Sequence, residues 1–171
     1  MDTGLFLLRV AVGVALLAQG VGKLRPANRA GAAGYFGGLG FEPARLSAFM
    51  AGAGEAVAGT LFLLGLLTPL GAAAAAGVLV AAVAVSGANG WSATKGGAEY
   101  PVVLLGAVAA LAITGAGEWS LDHATGIDPG VGEGIAGLAA GTAASLVLLA
   151  RRAGVLRRRP HAVDSPSEVA A

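Results

Sequence analysis

The sequence contains no cysteine, so it can build neither a disulfide, a CxxC redox pair nor a thiolate metal site. Any thiol chemistry it takes part in must belong to a partner. Histidine is nearly as scarce. The two present, His123 and His161, fall outside the apolar segments, which argues against a haem held by histidines within a helical bundle, and no metal site is expected. Charge is also thin, at 12% of residues against about 25% in soluble domains, and no basic footprint for nucleic acid is visible.

What fills the space is apolar. Of 171 residues, 56% are hydrophobic, with a mean hydropathy of +0.75. These residues fall into five runs. The first, about Gly4 to Gly22, is long enough at about 1.5 Å per residue to cross most of a ~30 Å hydrocarbon core. The chain opens Met1-Asp2-Thr3 and places Lys23 and Arg25 after the run, the reverse of a secretory leader, so a retained helix is expected. The second runs from about Leu46 to Leu67 and is expected to end at Thr68-Pro69, because proline lacks the N–H that continuation needs. The third follows directly and reaches about Ala88. Tyr100-Pro101 opens the fourth, which ends near Thr114.

The last run, about Ile135 to Ala150, is shorter and stops at Arg151 and Arg152. Gly137, Gly141 and Ser145 recur in it at every fourth position. Either this is a packing face of small residues or it is a by-product of an Ala/Gly-rich composition. Between the first two runs, residues 23–45 carry Tyr35, Phe36, Leu39 and Phe41 among glycines and basic residues, a pattern expected to lie on the membrane surface. Trp91 and Trp119 sit at span ends, where amphipathic rings anchor. From Arg157 onward the tail reads as disordered.

Charge sets the orientation. Lys23, Arg25, Arg29 and Arg45 flank the first connection, Lys95 lies in the third, and Arg151, Arg152, Arg157, Arg158 and Arg159 follow the last run. Five spans put all of these on one side, which the positive-inside rule makes cytoplasmic, with the N-terminus outside. Glu118, Asp122, Asp128 and Glu133 fall in the opposite, fourth connection.

Two charges lie within spans, Arg9 and Glu55. An ionisable group near mid-membrane costs several kcal/mol on insertion scales unless it faces protein or water. Arg9 is near enough to its helix end either to snorkel outward or to pair structurally. Side chains lean toward their own helix N-terminus, so Glu55 leans toward Gln19 and away from Arg9. Gln19 and Lys23 share a face of the first helix, and Glu99 and Tyr100 begin the fourth span at the same end. Gln19, Lys23, Glu55, Glu99 and Tyr100 are therefore the candidate ligand-binding residues of a polar pocket. Taken singly, Glu99 reads as a helix-start acid and Lys23 as a flanking charge.

These residues resemble the DoxX family of small bacterial and archaeal membrane proteins. The resemblance runs through Leu8-Arg9, Gln19-Gly20-Val21-Gly22-Lys23-Leu24, Gly54-Glu55, Leu64-Gly65-Leu66-Leu67-Thr68-Pro69-Leu70, Glu99-Tyr100-Pro101 and Trp119-Ser120-Leu121-Asp122. It implies a four-helix transmembrane core, placed at residues 1–125. The additional fifth C-terminal helix at residues 126–152 and the disordered basic cytoplasmic tail at residues 153–171 extend beyond that core, and the whole is expected to be an all-α membrane protein in the bacterial cytoplasmic membrane. The resemblance also implies redox systems: thiosulfate oxidation coupled to quinone, or a complex with a sulfurtransferase and a superoxide dismutase. The position of Gln19 often carries histidine in the family, so a proton-transfer role does not transfer to it.

The expected function is accordingly a non-autonomous membrane subunit of an oxidoreductase, with quinone as the implied cofactor and no catalytic residue identified. Two alternatives stand beside it: a scaffold recruiting soluble partners to a basic face, and a small-solute transporter acting as a homo-oligomer.

Overall fold

In hydrocarbon every backbone N–H and C=O must find a partner within its own segment, so long apolar runs become helices. A computed structural model describes residues 2–127 and 129–158, and among them every regular element is helical. Asp128, Arg159, His161 and the remainder of the expected tail lie outside the described residues. In chain order the helices are α1 (Asp2–Leu24), α2 (Pro26–Gly38), α3 (Ala44–Leu64), α4 (Thr68–Ser86), α5 (Glu99–Thr114), the short α6 (Leu121–Thr125) and α7 (Val131–Arg158). Two 3-10 turns, Gly87–Asn89 and Ala93–Lys95, lie between α4 and α5.

Four helices are long and apolar enough to cross a membrane: α1, α3, α4 with its 3-10 extension, and α7. The order of lengths differs from expectation. The last run, read as moderate, becomes a 28-residue helix, whereas α5, read as a full span, has 16 residues, about 24 Å of rise. α7 packs along α4 and also meets α5. Residues 153–158, expected in the tail, belong to α7.

One boundary is placed differently for a clear reason. Gly65 takes the left-handed conformation (φ 61°), and the Leu66 N–H returns to the Leu61 carbonyl, closing α3 in a Schellman-type cap. Thr68 and Pro69 therefore open α4 instead of ending the second span, with proline in the first turn where its missing N–H costs nothing. The connection at 23–45 contains α2, which buries none of its residues, in keeping with a helix lying at a surface.

Small residues set the packing. Gly13 and Gly20 on α1 face Gly59 and Gly52 on α3, each pair seven residues apart. A Cβ on Gly59 would come within 2.5 Å of the Leu17 backbone nitrogen, and one on Gly20 would collide with the Ala56 backbone. Backbone-to-backbone approach of this kind replaces the hydrophobic drive that lipid does not supply. The same device joins α7 to its neighbours: Gly134 lies against Ala112, Gly137 against Pro69 and Gly141 against Ala73, with Ser145 buried in the same line. The small-residue repeat in α7 is thus a packing face. Val12, Leu16, Phe62, Leu79, Val108 and Leu111 fill the space between α1, α3, α4 and α5.

Candidate functional site

The charged residues buried inside the bundle gather at its two ends. At the first end, Arg9 is 1% exposed despite standing in an apolar helix. It does not snorkel. Its guanidinium turns inward, donating to the Ala116 carbonyl at 2.5 Å and to the Trp119 carbonyl, both in the loop between α5 and α6. The Phe6 ring stacks at its side, 5.6 Å from the guanidinium carbon, and Trp119 packs edge-on against Phe6. Gly65 is confined here twice over, by its positive φ and because a Cβ would run into the Arg9 guanidinium.

Asp122 completes this end, and the charge of its carboxylate acts on Arg9. Oδ1 accepts the Leu67 N–H at 2.8 Å, while Oδ2 accepts the Thr68 N–H at 3.2 Å and the Thr68 hydroxyl at 3.0 Å. Its own N–H donates to the Gly65 carbonyl at 2.9 Å. Leu67 occupies the N-cap position of α4 in the left-handed region (φ 48°) and offers no side-chain acceptor, so an acid 55 residues later in the chain caps the helix in its place. Sequence reasoning set Asp122 among solvent-side loop acids and missed this. The available signal was a helix start, Leu67-Thr68-Pro69, without an N-cap acceptor, together with an acid following Trp119-Ser120.

At the second end the candidate residues divide into pairs. Lys23 Nζ and Glu55 Oε2 form an ion pair at 2.5 Å, with Glu55 3% exposed. Gln19 donates to the Tyr100 hydroxyl at 2.8 Å and to the Ala15 carbonyl at 3.3 Å. Glu55 leans away from Arg9, and its partner is Lys23, one turn beyond Gln19. Glu99 does not join them: its carboxylate accepts the Ala93 N–H at 2.9 Å and holds the loop before α5. The two pairs stand one turn apart near the end of α1, bringing four of the five candidates to that end. Gln19 and Lys23 also line an open groove of about 490 Å³, with Gly22 on α1 and Ala27, Asn28 and Gly31 on α2. Among the described residues no group of acids and histidines is arranged to hold a metal ion.

Chemically, the cluster offers one ion pair, an amide and a phenol. The phenol accepts from Gln19, so its own hydrogen remains for an outside acceptor, and Tyr100 is about half exposed. Residues 4–88 match the DoxX family model, a stretch that carries Arg9, Gln19, Lys23 and Glu55 and ends before Glu99, Tyr100 and Asp122. No curated protein and no solved structure matches the chain significantly. With four helices long enough to cross a bilayer and this match running from the first of them to the end of the third, the chain is a multi-pass membrane protein and belongs to the DoxX family.

Proposed function

We propose that this protein is the membrane subunit of a redox complex and that the Gln19, Lys23, Glu55 and Tyr100 cluster receives the head group of a quinone or a small oxidised substrate from the membrane. The observation that carries the reading is a buried carboxylate paired with Lys23 and a phenol, its hydrogen uncommitted, held by Gln19, with Lys23 and Gln19 themselves lining an open groove. The donor set suits the ligand: Tyr100 presents an O–H to a carbonyl oxygen, Gln19 fixes the phenol's orientation, and Glu55 is placed to take or return a proton across Lys23. A bound quinone would supply two-electron redox chemistry. The electron donor then comes from elsewhere, and a sulfurtransferase and a superoxide dismutase are the soluble partners implied by the family resemblance.

The topology proposed with it has five spans, an external N-terminus and a cytoplasmic C-terminus. Three observations support this: the clustering of Lys23, Arg29, Arg45 and Lys95 around one set of helix ends, the tie between Arg152 and the α2–α3 connection, and the acids of the α5–α7 connection at the other end. α5 makes the fifth crossing at 16 residues, a length that requires the bilayer to thin or the polar ends of the helix to sit at the interface. A bacterial cytoplasmic membrane is the setting this orientation fits.

Purifying the chain in mild detergent and measuring extracted quinone tests the site. Quinone retained by the wild type and lost from Tyr100→Phe and Glu55→Gln supports it, whereas no quinone in the wild type overturns it. A scaffold role is the second reading, favoured by a specific observation: Lys23 already neutralises Glu55, so the pair is complete without a ligand. Soluble partners retained by a chain that holds no small ligand would select that reading.

A further inference from the structure

Beside the proposed pocket, on the other flank of Lys23, lies a second groove of about 380 Å³ between α2 and the start of α3. Its walls carry Lys23, Arg29 and Arg45 among Pro26, Ala48 and Phe49. Glu55 neutralises Lys23, but Arg29 and Arg45 are both exposed and no acid lines the groove. Arg29 Nε donates to the Leu24 carbonyl at 2.8 Å, which holds its guanidinium at the mouth. The first turn of α2 forms part of the wall with no side-chain cap and no acidic residue, so its dipole adds to the positive potential.

The groove is also apolar along one side. At about 100° per residue, Phe49, Leu46 and Met50 follow Arg45 around α3 in one arc. All three are exposed. A cationic mouth at the ends of two helices that can cross a membrane, continuing into an exposed apolar strip on one of them, matches an amphiphile with an anionic head and acyl tails. We infer that this groove binds one anionic phospholipid of the leaflet on the basic side, its phosphate between Arg29 and Arg45 and an acyl chain along Phe49, Leu46 and Met50. Charge complementarity selects the head group, and the strip selects a lipid over a soluble anion. The inference stands apart from the quinone reading, since it uses neither Glu55 nor Tyr100.

Native mass spectrometry of the full chain, released from detergent micelles doped with phosphatidylglycerol or phosphatidylcholine, tests it. One phosphatidylglycerol per chain should survive activation that strips phosphatidylcholine. The Arg29→Gln/Arg45→Gln variant should hold it roughly 10- to 30-fold less tightly, as expected for loss of two cations near an anionic head group. The Arg157→Gln/Arg158→Gln variant removes the same charge from the exposed end of α7 and should bind as the wild type does. Equal retention of both lipids, equal losses in the two variants, or displacement of phosphatidylglycerol by millimolar inorganic phosphate would overturn the proposal. Thermal unfolding of each variant separates loss of binding from loss of fold.

Discussion

Replacing Asp122 with alanine should destabilise the bundle more than its position in a loop suggests. The side chain is 2% exposed and accepts three hydrogen bonds, two of them from the first backbone amides of α4. Loss of a helix cap costs about 0.5–2 kcal/mol. The Thr68 hydroxyl is left without its acceptor as well, at about 1–3 kcal/mol, while the Arg9 guanidinium at the same end loses a nearby negative charge but keeps its two carbonyl partners; about 2–4 kcal/mol is expected for Asp122→Ala. Asp122→Asn retains an acceptor for Leu67 but loses the charge, and should cost roughly 1–2 kcal/mol. Reversible unfolding in mixed micelles, followed by the fluorescence of Trp119 beside this cluster, measures both. A double-mutant cycle with Arg9→Met isolates the coupling, expected at 1 kcal/mol or more within the range of about 0.5–3 kcal/mol for groups in one network. If Asp122→Ala unfolds within about 0.5 kcal/mol of the wild type, or the cycle is additive, the cap and the charge coupling described here are wrong.

Three further outcomes follow from packing and charge. Gly59→Ala places a methyl against the α1 backbone, where no flexible side chain can yield, and should cost about 1–3 kcal/mol in the same unfolding assay. Gly106→Ala meets nothing within 4 Å and should be neutral or raise stability by up to about 1 kcal/mol through helix propensity. A reporter fused after Ala171 should be active only in the cytoplasm, and activity outside would invalidate the five-span orientation.

Much of the fold was legible because a bilayer leaves little choice: apolar runs bounded by Gly, Pro and basic residues became helices close to where the sequence placed them. The errors arose where tertiary contacts decide. Thr68-Pro69 reads as a stop from the second span and as a start from the third, and only the left-handed Gly65 separates the two. The small-residue repeat of α7 was visible, whereas the seven-residue spacing of Gly13 with Gly20 and of Gly52 with Gly59 was hidden in a chain with 29 glycines. In the candidate site, helix periodicity and side-chain lean bring Gln19, Lys23 and Glu55 together and point Glu55 at Gln19, whereas the carboxylate pairs with the ammonium of Lys23, one turn further on, because a charge is the stronger partner for a buried acid. Glu99 was placed at the correct helix start and assigned to the wrong neighbours, because a backbone N–H in the preceding loop is invisible to pattern reasoning. Arg9 had two readings, and the choice rested on carbonyls more than 100 residues away.

The cap on α4 has a temporal consequence. Asp122 is made only after α5 has been synthesised, so the ribosome delivers the α3–α4 hairpin with its Leu67 and Thr68 amides still waiting for their acceptor. The glycine seam between α1 and α3 needs nothing made later and can close as soon as α3 is inserted. Assembly of this protein therefore has a built-in order, in which an early zipper holds the first helices together and a late carboxylate latches the turn between α3 and α4 after α5 has been added.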